Sequence, residues 1–442
     1  MDMLDRNRLL LDKAARVIPS GLTANYLVSE GMPVYFVAGN GSRLKDVAGR
    51  EYLDYSLSAG AAILGHSNSA LREGLRRQAD RLCTNANNPL EAEAAELICR
   101  NIPSAERVYF ASSGSEAVGH AFRVARAHTR RNMIVRFRGS YHGISDALLG
   151  GIPFGPCEPE REGQTAQFYE FPEEPHIGGY GTSAFRDCYL VEWNDLEVLS
   201  DLLSRRADEI AAICMEPIML TCFGCWPEPG YLQGVRELCD RYGILLIFDE
   251  VMLGFRCGLG GAQTLLGVTP DITVLGKALS GGAVPIGAIC GKAQIMRIIE
   301  GPKVICVGSY NGHPLAMSAV IATIDELSKD DGAAQARIEQ LGARLGAGLR
   351  EEFQRASLPV TVQGIPADWR LGWGSDKEIR NFTDARRKGL LGSKLGSFFG
   401  LMRSHDLLMY HYIATSAAHT QEDIDYTLSI AAQVCAELGR SI

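Results

Sequence analysis

The sequence predicts an α/β fold, with a large domain around a mostly parallel central sheet and a smaller α+β domain built from both termini. Three observations support this prediction. Short apolar runs alternate with amphipathic segments through the middle of the chain, several of these runs end directly in polar residues, and short glycine-punctuated strands precede them. Alternating strands and helices favour a parallel sheet with right-handed crossovers. We expect residues 59–315 to form the large domain, with residues 1–58 and 316–442 forming the small one.

Composition indicates an ordinary water-soluble protein. The chain has 442 residues, 46% hydrophobic and 22% charged, and its net charge of −8 argues against general affinity for nucleic acid. No apolar run approaches the roughly 20 residues of a membrane span, and the amino terminus has no signal-like segment. We therefore expect a cytoplasmic protein without membrane or nucleic-acid partners. Among the twelve cysteines only Cys222 and Cys225 are close in sequence, which predicts reduced thiols and no metal site.

The amino-terminal part predicts a helix, a small antiparallel sheet and two further helices. Apolar residues at helical spacing predict a helix over 5–17, which a Pro-Ser-Gly stretch ends. Three short strands punctuated by glycines then predict the sheet, and two amphipathic segments follow it. The strands are expected at 34–37, 43–46 and 52–55, and the helices at 70–82 and 90–102.

The middle of the chain alternates strands with helices. Because most of the predicted strands are continuously apolar, we expect both faces of the sheet to be covered. A stretch rich in glycine, proline and glutamate, 150–182, predicts a long surface excursion. Helices over 314–327, 336–353 and 421–438 then complete the small domain. The predicted strands of the large domain are 108–111, 133–137, 189–191, 210–215, 244–248 and 272–275, and its helices are 118–128, 195–204 and 232–242.

Two polar residues that follow apolar runs suggest a reactive pair. Lys277 follows the run 272–275, where partial desolvation would leave its amine able to form a Schiff base with a carbonyl. Asp249 ends the run 244–248, and we expect the two strands to be neighbours. A carboxylate beside a ring nitrogen keeps that nitrogen protonated, as pyridoxal phosphate requires to act as an electron sink. Each residue taken singly also has an ordinary interpretation. Lys277 could be a solvated loop lysine, and Asp249 could be a helix cap or an ion-pair partner.

A serine-rich turn between a predicted strand and a predicted helix suggests a phosphate site. Residues 112–117 (SSGSEA) would bring backbone amides and hydroxyls together at a helix N-terminus, a geometry that binds a phosphate dianion. The same residues also fit an ordinary capping box, in which Glu116 reaches back to the first turn.

Six segments stand out in the order 112–117, 141–143, 216–217, 249–256, 276–282 and 308–316. Together they resemble the signatures of class III pyridoxal-phosphate aminotransferases, with the glutamate-1-semialdehyde aminomutase branch as the nearest. The resemblance runs from about Pro19 to the carboxyl terminus. It implies the PLP-dependent transferase fold type I, small-molecule amine and carbonyl substrates, and pyridoxal 5′-phosphate as cofactor, with pyridoxamine phosphate as its aminated form.

The resemblance also implies roles for individual residues. Lys277 and Asp249 would be catalytic: the lysine holds the cofactor and moves the proton, and the aspartate keeps the ring protonated. Tyr141 would stack on the ring, while His142 has a structural role as its alternative. Ser309 would reach the cofactor phosphate of a partner subunit, which implies a homodimer. The expected cofactor-binding residues are Ser113, Gly114, Ser115, Tyr141, His142, Asn194, Glu216, Asp249, Val251, Lys277 and Ser309.

Departures from the aminomutase pattern predict a different substrate. Leu27 stands where that branch has a carboxylate-binding arginine, and the segment 398–419 is several residues shorter than its counterpart. We therefore expect an aminotransferase whose acceptor lacks an α-carboxylate, such as an oxidised amino sugar or aminocyclitol of a specialised antibiotic pathway. The neutral hydrogen-bonding groups expected around it belong to Asn25, Tyr26, His411 and Tyr412.

Three alternatives remain beside this hypothesis. Arg256 or Arg403 would bind a substrate carboxylate from another direction. In the second alternative, the chain is an aminomutase or epimerase of the same fold, which needs no second substrate. In the third alternative, the chain is a catalytically silent cofactor-binding protein. The presence of both Lys277 and Asp249 disfavours this interpretation.

Overall fold

Three sheets organise the residues that the computed structural model describes, which are 3–23, 34–145, 148, 187–301, 303–390 and 395–440. The strands are Phe36–Asn40 (β1), Arg43–Asp46 (β2), Glu51–Asp54 (β3), Arg107–Ala111 (β4), Met133–Phe137 (β5), Cys188–Val191 (β6), Ile210–Met215 (β7), Leu245–Asp249 (β8), Ile272–Gly276 (β9), Gly287–Gly291 (β10), Val360–Ile365 (β11), Asp368–Trp373 (β12), Leu407–Leu408 (β13) and Tyr412–Ala414 (β14). The longer helices are Met3–Ala15, Ser69–Ala79, Leu90–Asn101, Gly114–Thr129, Leu196–Arg206, Tyr231–Tyr242, Pro314–Ser328, Ala333–Arg355, Leu395–Ser404 and Gln421–Arg440, and the shorter ones are Gly261–Leu266, Ala293–Met296 and Phe382–Arg387.

The central sheet has the strand order β4-β10-β9-β8-β7-β5-β6. The pairs from β9 to β6 are parallel, whereas β10 runs antiparallel to both β9 and β4. The prediction of a mostly parallel α/β sheet is therefore confirmed. The sequence analysis missed β10 because its small residues, GAICG, lack the bulky apolar pattern that marks the other strands.

Helices cover both faces of this sheet, as the continuously apolar strands predict. Side chains alternate along β8: Leu246 and Phe248 pack with helices Leu196–Arg206 and Tyr231–Tyr242, while Ile247 packs beneath helix Gly114–Thr129. That helix also buries Phe122, which is 3% exposed and contributes about 1.5–3 kcal/mol by burial alone. The core thus fixes the strand ends in space.

Residues from both ends of the chain build the second part of the molecule. Strand β13, near residue 407, pairs in parallel with β3, so the sheet β1-β2-β3-β13 combines amino-terminal and carboxyl-terminal segments. A third sheet, β11-β12-β14, packs with helices Ala333–Arg355 and Gln421–Arg440. Two elements from this part, β12 and the segment 409–412, reach the edge of the central sheet where its parallel strands end.

Some predicted boundaries change in the structure. The helix predicted to begin at Val118 begins at Gly114, because Ser113 caps it. The proposed surface excursion 150–182 lies outside the described residues. Among the helices that the structure describes, none has the length and apolar character that a transmembrane helix needs.

Candidate active site

A cleft of about 1390 Å³ opens where the parallel strands of the central sheet end. Loops following β4, β5, β7, β8 and β9 form one wall, and β12 with the segments 395–403 and 409–412 forms the other. Nine of the predicted site residues line it together. They are Ser113, Gly114, Ser115, Tyr141, His142, Glu216, Asp249, Val251 and Lys277.

Lys277 follows β9 directly and enters a short 3-10 turn with a positive φ of 43°. Its Nζ donates a hydrogen bond to the carbonyl oxygen of Ala59 at 3.1 Å. Although the residue is partly exposed to the cleft, burial of its amine lowers the pKa of Lys277 to about 8, against the opposing effect of Asp368. A sizeable neutral fraction near physiological pH makes this amine a competent nucleophile and base.

Asp249 ends β8, next to β9 in parallel pairing, as the sequence predicts. Its Oδ2 lies 2.7 Å from Nδ1 of His142, and its Oδ1 accepts a hydrogen bond from the Val251 amide at 3.0 Å. Burial alone would lower the pKa of His142, but the sulfur of Cys214 and the carboxylate of Asp249 outweigh it and raise this pKa to about 10. His142 therefore braces Asp249 as a cation.

The geometry of the serine-rich turn is compatible with both interpretations of its sequence. Ser113 Oγ accepts from the Glu116 amide at 3.2 Å and Glu116 Oε2 accepts from the Ser112 amide at 2.9 Å, a reciprocal capping arrangement. The amides of Gly114 and Ser115 lie in the first helical turn, where no intrahelical acceptor exists. The capping bonds therefore leave these two backbone amides available to an anion.

Neighbouring backbone holds this turn tightly. A Cβ on Gly287 of β10 would lie 2.1 Å from the Ser113 carbonyl oxygen, and one on Gly143, whose φ is 117°, would lie 2.5 Å from Ser115 Oγ. Val251 closes the third side, with Cγ2 3.0 Å from the position of a Cβ on Gly114. These glycines allow the close approach that fixes the turn at the cleft.

Glu216 follows β7 and holds the loop around Tyr141. Its Oε2 accepts from the Thr221 amide at 3.2 Å, its Oε1 from the Thr221 hydroxyl, and the Tyr141 amide donates to Thr221 Oγ1 at 3.2 Å. Burial raises the pKa of Glu216 to about 7. Thr221 escaped the sequence analysis because a single threonine in a loop carries no pattern.

The donor and acceptor groups of the cleft fit pyridoxal phosphate. A lysine amine with a lowered pKa suits the aldehyde, and the carboxylate of Asp249 keeps acceptor capacity beyond its two bonds for a protonated ring nitrogen. The helix N-terminus at residues 113–115, with glycines where a Cβ would collide, suits a phosphate. These three groups lie along one cleft wall.

Two predicted cofactor residues do not line the cleft. Asn194 donates through Nδ2 to the carbonyl oxygens of Trp226 and Arg380, at 2.9 and 3.0 Å, and accepts from the Glu228 amide at 2.9 Å. Its side chain connects loops behind the cleft. Ser309 lies outside the cleft of its own chain, with its carbonyl oxygen accepting from Asn85.

Three arginines lie in or near the cleft, and two of them, Arg256 and Arg403, are the predicted carboxylate-binding alternatives. Arg256 is buried and donates to the carbonyl oxygens of Gly60, Ala367 and Thr415, so it braces backbone and does not line the cleft.

Arg403 lines the cleft, together with His411 and Tyr412, whereas Asn25, Tyr26 and Leu27 lie outside the described residues. Arg370 on β12 also lines it, paired with Asp368. The sequence analysis missed Arg370, because one charged residue within an apolar strand gives no signal of a site.

Comparisons with known proteins agree with this geometry. The model of the aminotransferase class-III family matches residues 26–403. A glutamate-1-semialdehyde 2,1-aminomutase of Chloroflexus aggregans is 35% identical over 437 residues, covering 96% of each chain. An omega-transaminase from Sphaerobacter thermophilus has a TM-score of 0.88 at 28% identity over 98% of each chain, and a transaminase solved with PLP bound has 0.85 at 26% over 100% of each. The chain is therefore a member of the class-III aminotransferase family.

Proposed function

We propose that this enzyme moves an amino group between carbon atoms of small molecules, with pyridoxal phosphate as its cofactor. The observation that carries the proposal is the convergence of Lys277, Asp249 and the turn at residues 113–115 on one cleft. The cofactor, when bound, supplies an aldehyde that takes up the amino group and a ring that accepts electron density.

Each residue of the cleft then has a definite task. The amides of Gly114 and Ser115 hold the phosphate, and Asp249, braced by His142, accepts a hydrogen bond from the ring nitrogen. Tyr141 covers the ring and excludes water. Lys277 would hold the cofactor through its aldehyde, and as a free amine it would carry a proton between the substrate carbon and the cofactor carbon.

The first candidate reaction is migration of the amino group within one substrate. Relatives 35% identical to this chain are named glutamate-1-semialdehyde 2,1-aminomutases. Two arginines, Arg370 and Arg403, line the cleft, and guanidinium groups suit a substrate that carries a carboxylate. Both observations support a small amino acid derivative as the substrate.

The second candidate is transfer of the amino group to a separate acceptor without an α-carboxylate. Leu27, in place of the aminomutase arginine, favours this alternative. An oxidised amino sugar or aminocyclitol has the required carbonyl and hydroxyl groups, which His411 and Tyr412 in the cleft would contact.

We also propose a homodimer in which Ser309 approaches the cofactor phosphate of the partner subunit. Exposed apolar side chains flank Ser309 in the sequence: Ile305 is 67%, Val307 69% and Tyr310 66% exposed. Several neighbouring apolar side chains of this size indicate a surface that another protein covers. Sedimentation of the purified holoenzyme tests this directly.

A nitrogen-labelling experiment separates the two candidate reactions. The holoenzyme is incubated with ¹⁵N-labelled and unlabelled glutamate-1-semialdehyde, without any other carbonyl compound. Migration of nitrogen from carbon 2 to carbon 1 supports the aminomutase. If nitrogen does not migrate, the holoenzyme is next incubated in deuterated buffer with a panel of amino acids and amino sugars. Release of a carbonyl compound from one of these amines supports transamination.

The Lys277→Ala variant tests the shared machinery. We expect at least about a thousandfold loss of amino-group transfer, because the variant lacks both the nucleophile and the proton carrier. Borohydride should join the cofactor covalently to the wild-type chain and not to the variant, as mass spectrometry would show. Lys45→Ala, which removes an exposed lysine of β2, serves as the control. Full activity in Lys277→Ala would overturn the proposal.

A further inference from the structure

A left-handed turn, Leu57–Gly60, lies against the catalytic lysine. Leu57, Ser58 and Ala59 have φ values of 45°, 55° and 56°, and Gly60 follows with 81°. Three successive residues with side chains in this region are unusual, because the Cβ of an L-residue crowds the backbone there. Such strain persists only where the surrounding structure imposes it, and it concentrates at functional sites.

Buried polar groups hold this turn on both sides. Asp54, which is fully buried, accepts through Oδ1 from the Ser56 amide at 2.8 Å and from the Leu57 amide at 3.2 Å. At the other end, Nε of the buried Arg256 donates to the Gly60 carbonyl oxygen at 2.7 Å. Arg256 does not line the cleft, and its other bonds go to the carbonyl oxygens of Ala367 and Thr415, so its side chain braces backbone that includes this turn.

The turn and the residues directly after it contact the segment of Lys277 at two points. The Ala59 carbonyl oxygen accepts from Lys277 Nζ at 3.1 Å. Gly282, five residues after the lysine, packs so closely that a Cβ there would lie 2.9 Å from the Ala62 amide nitrogen. Lys277 itself has a positive φ, so two strained segments face each other across this hydrogen bond.

We infer that the left-handed turn Leu57–Gly60 is a positioning element that presents the Ala59 carbonyl oxygen to the Lys277 amine whenever that amine is free. A hydrogen bond from one N–H to this oxygen fixes the direction of the nitrogen lone pair, which must face the substrate carbon. The same oxygen stabilises the ammonium form that exists while the proton is in transit. The inference rests on the proposed function of Lys277 as proton carrier.

Other charged groups around the lysine cannot replace this contact. Asp368 and Glu216 favour the ammonium, while Arg370 and Arg256 disfavour it, and Asp368 is already paired with Arg370. The hydrogen bond that Nζ donates goes instead to the carbonyl oxygen of Ala59. The carbonyl oxygen is therefore the group that orients the free amine.

Ser58 allows a test without touching the cleft, because it is exposed and does not line it. Ser58→Pro fixes φ near −65°, which is incompatible with the turn. Ser58→Asn is the matched control, since asparagine tolerates positive φ. The full-length chain of each variant is saturated with pyridoxamine phosphate, which leaves Lys277 free, and carbamylation of Lys277 by cyanate is followed by mass spectrometry from pH 6 to 10.

Loss of the acceptor should lower the apparent pKa of Lys277 in Ser58→Pro by about one pH unit, while Ser58→Asn matches the wild type. Lys45 in the same chains provides the internal reference. Equal profiles for the two variants would overturn the inference. If Ser58→Pro does not fold, Ser58→Val, which disfavours positive φ without fixing it, must show the lowered value, and a wild-type profile there also overturns it. Because this experiment contains no substrate, the apparent pKa of Lys277 can be interpreted even if the proposed amino-group transfer proves wrong.

Discussion

At the scale of single residues, the buried pair of His142 and Asp249 makes stability depend on pH. The pKa of His142 is about 10 in the folded chain, against an ordinary value of 6.5. As pH rises, His142 therefore loses its proton at a lower pH in the unfolded chain than in the folded chain. The free energy of unfolding falls between these two pH values. The contribution of the pair is fully present below about pH 6.5 and is lost as pH rises through about 10.

The His142→Gln variant lacks this titrating group. We predict that the difference in free energy of unfolding between the wild type and His142→Gln decreases as pH rises from 6.5 to 10. The difference should shrink by an amount on the order of 3 kcal/mol. Urea unfolding of the cofactor-free chains at several pH values measures it. His405→Gln, at an exposed histidine, should follow the wild type throughout. A difference that stays constant with pH would contradict the charged pair.

At the scale of elements, β10 packs against the serine-rich turn at residues 112–117. Gly287 begins this strand, pairs with both Gly276 of β9 and Ala111 of β4, and leaves no space for a Cβ beneath Ser113. The strand thus couples the lysine segment to the serine-rich turn through main-chain contacts alone.

We predict that Gly287→Ala weakens pyridoxal phosphate binding by about ten- to a hundredfold, because overpacking of this size costs about 1–3 kcal/mol and displaces the turn. Titration of the cofactor absorbance measures the dissociation constant. Gly119→Ala is the matched control: it lies on helix Gly114–Thr129, where a Cβ meets nothing within 4 Å. That variant should bind the cofactor normally and gain stability of about 0.5–1 kcal/mol. Equal cofactor affinities for the two variants would argue against the role of β10.

At the scale of the whole molecule, Asn194 joins parts of the chain that are distant in sequence. Its side chain links the loop after β6 to the carbonyl oxygens of Trp226 and Arg380, and its φ of 59° suits asparagine. The segment at Arg380 precedes helix Phe382–Arg387, which packs on the core beneath the cleft.

We predict that Asn194→Gly, which keeps the backbone conformation, lowers the free energy of unfolding by about 2 kcal/mol through loss of its hydrogen bonds. Cofactor affinity should change less than about twofold, because the side chain does not reach the cleft. Asn194→Ala should be less stable still, since alanine is strained at positive φ. A large loss of affinity at unchanged stability would instead restore Asn194 as a cofactor residue.

The sequence by itself determined the class of fold and the nucleus of the site. Apolar periodicity is a local property, so β5, β7, β8 and β9 and the helices between them could be located from it. Parallel strands place their carboxyl ends at one edge, which is why Asp249 and Lys277 could be expected together before any coordinates existed.

The tertiary structure decided the features that depend on contacts between distant segments. The approach of Gly287 to Ser113, the bridging role of Asn194, the bracing by Arg256 and the strained turn against Lys277 each join residues far apart in the chain. A glycine, an asparagine or an arginine looks the same in sequence whether it packs, bridges or binds. Its function follows from what folding brings beside it, because hydrogen bonds and steric exclusion act only over a few ångströms.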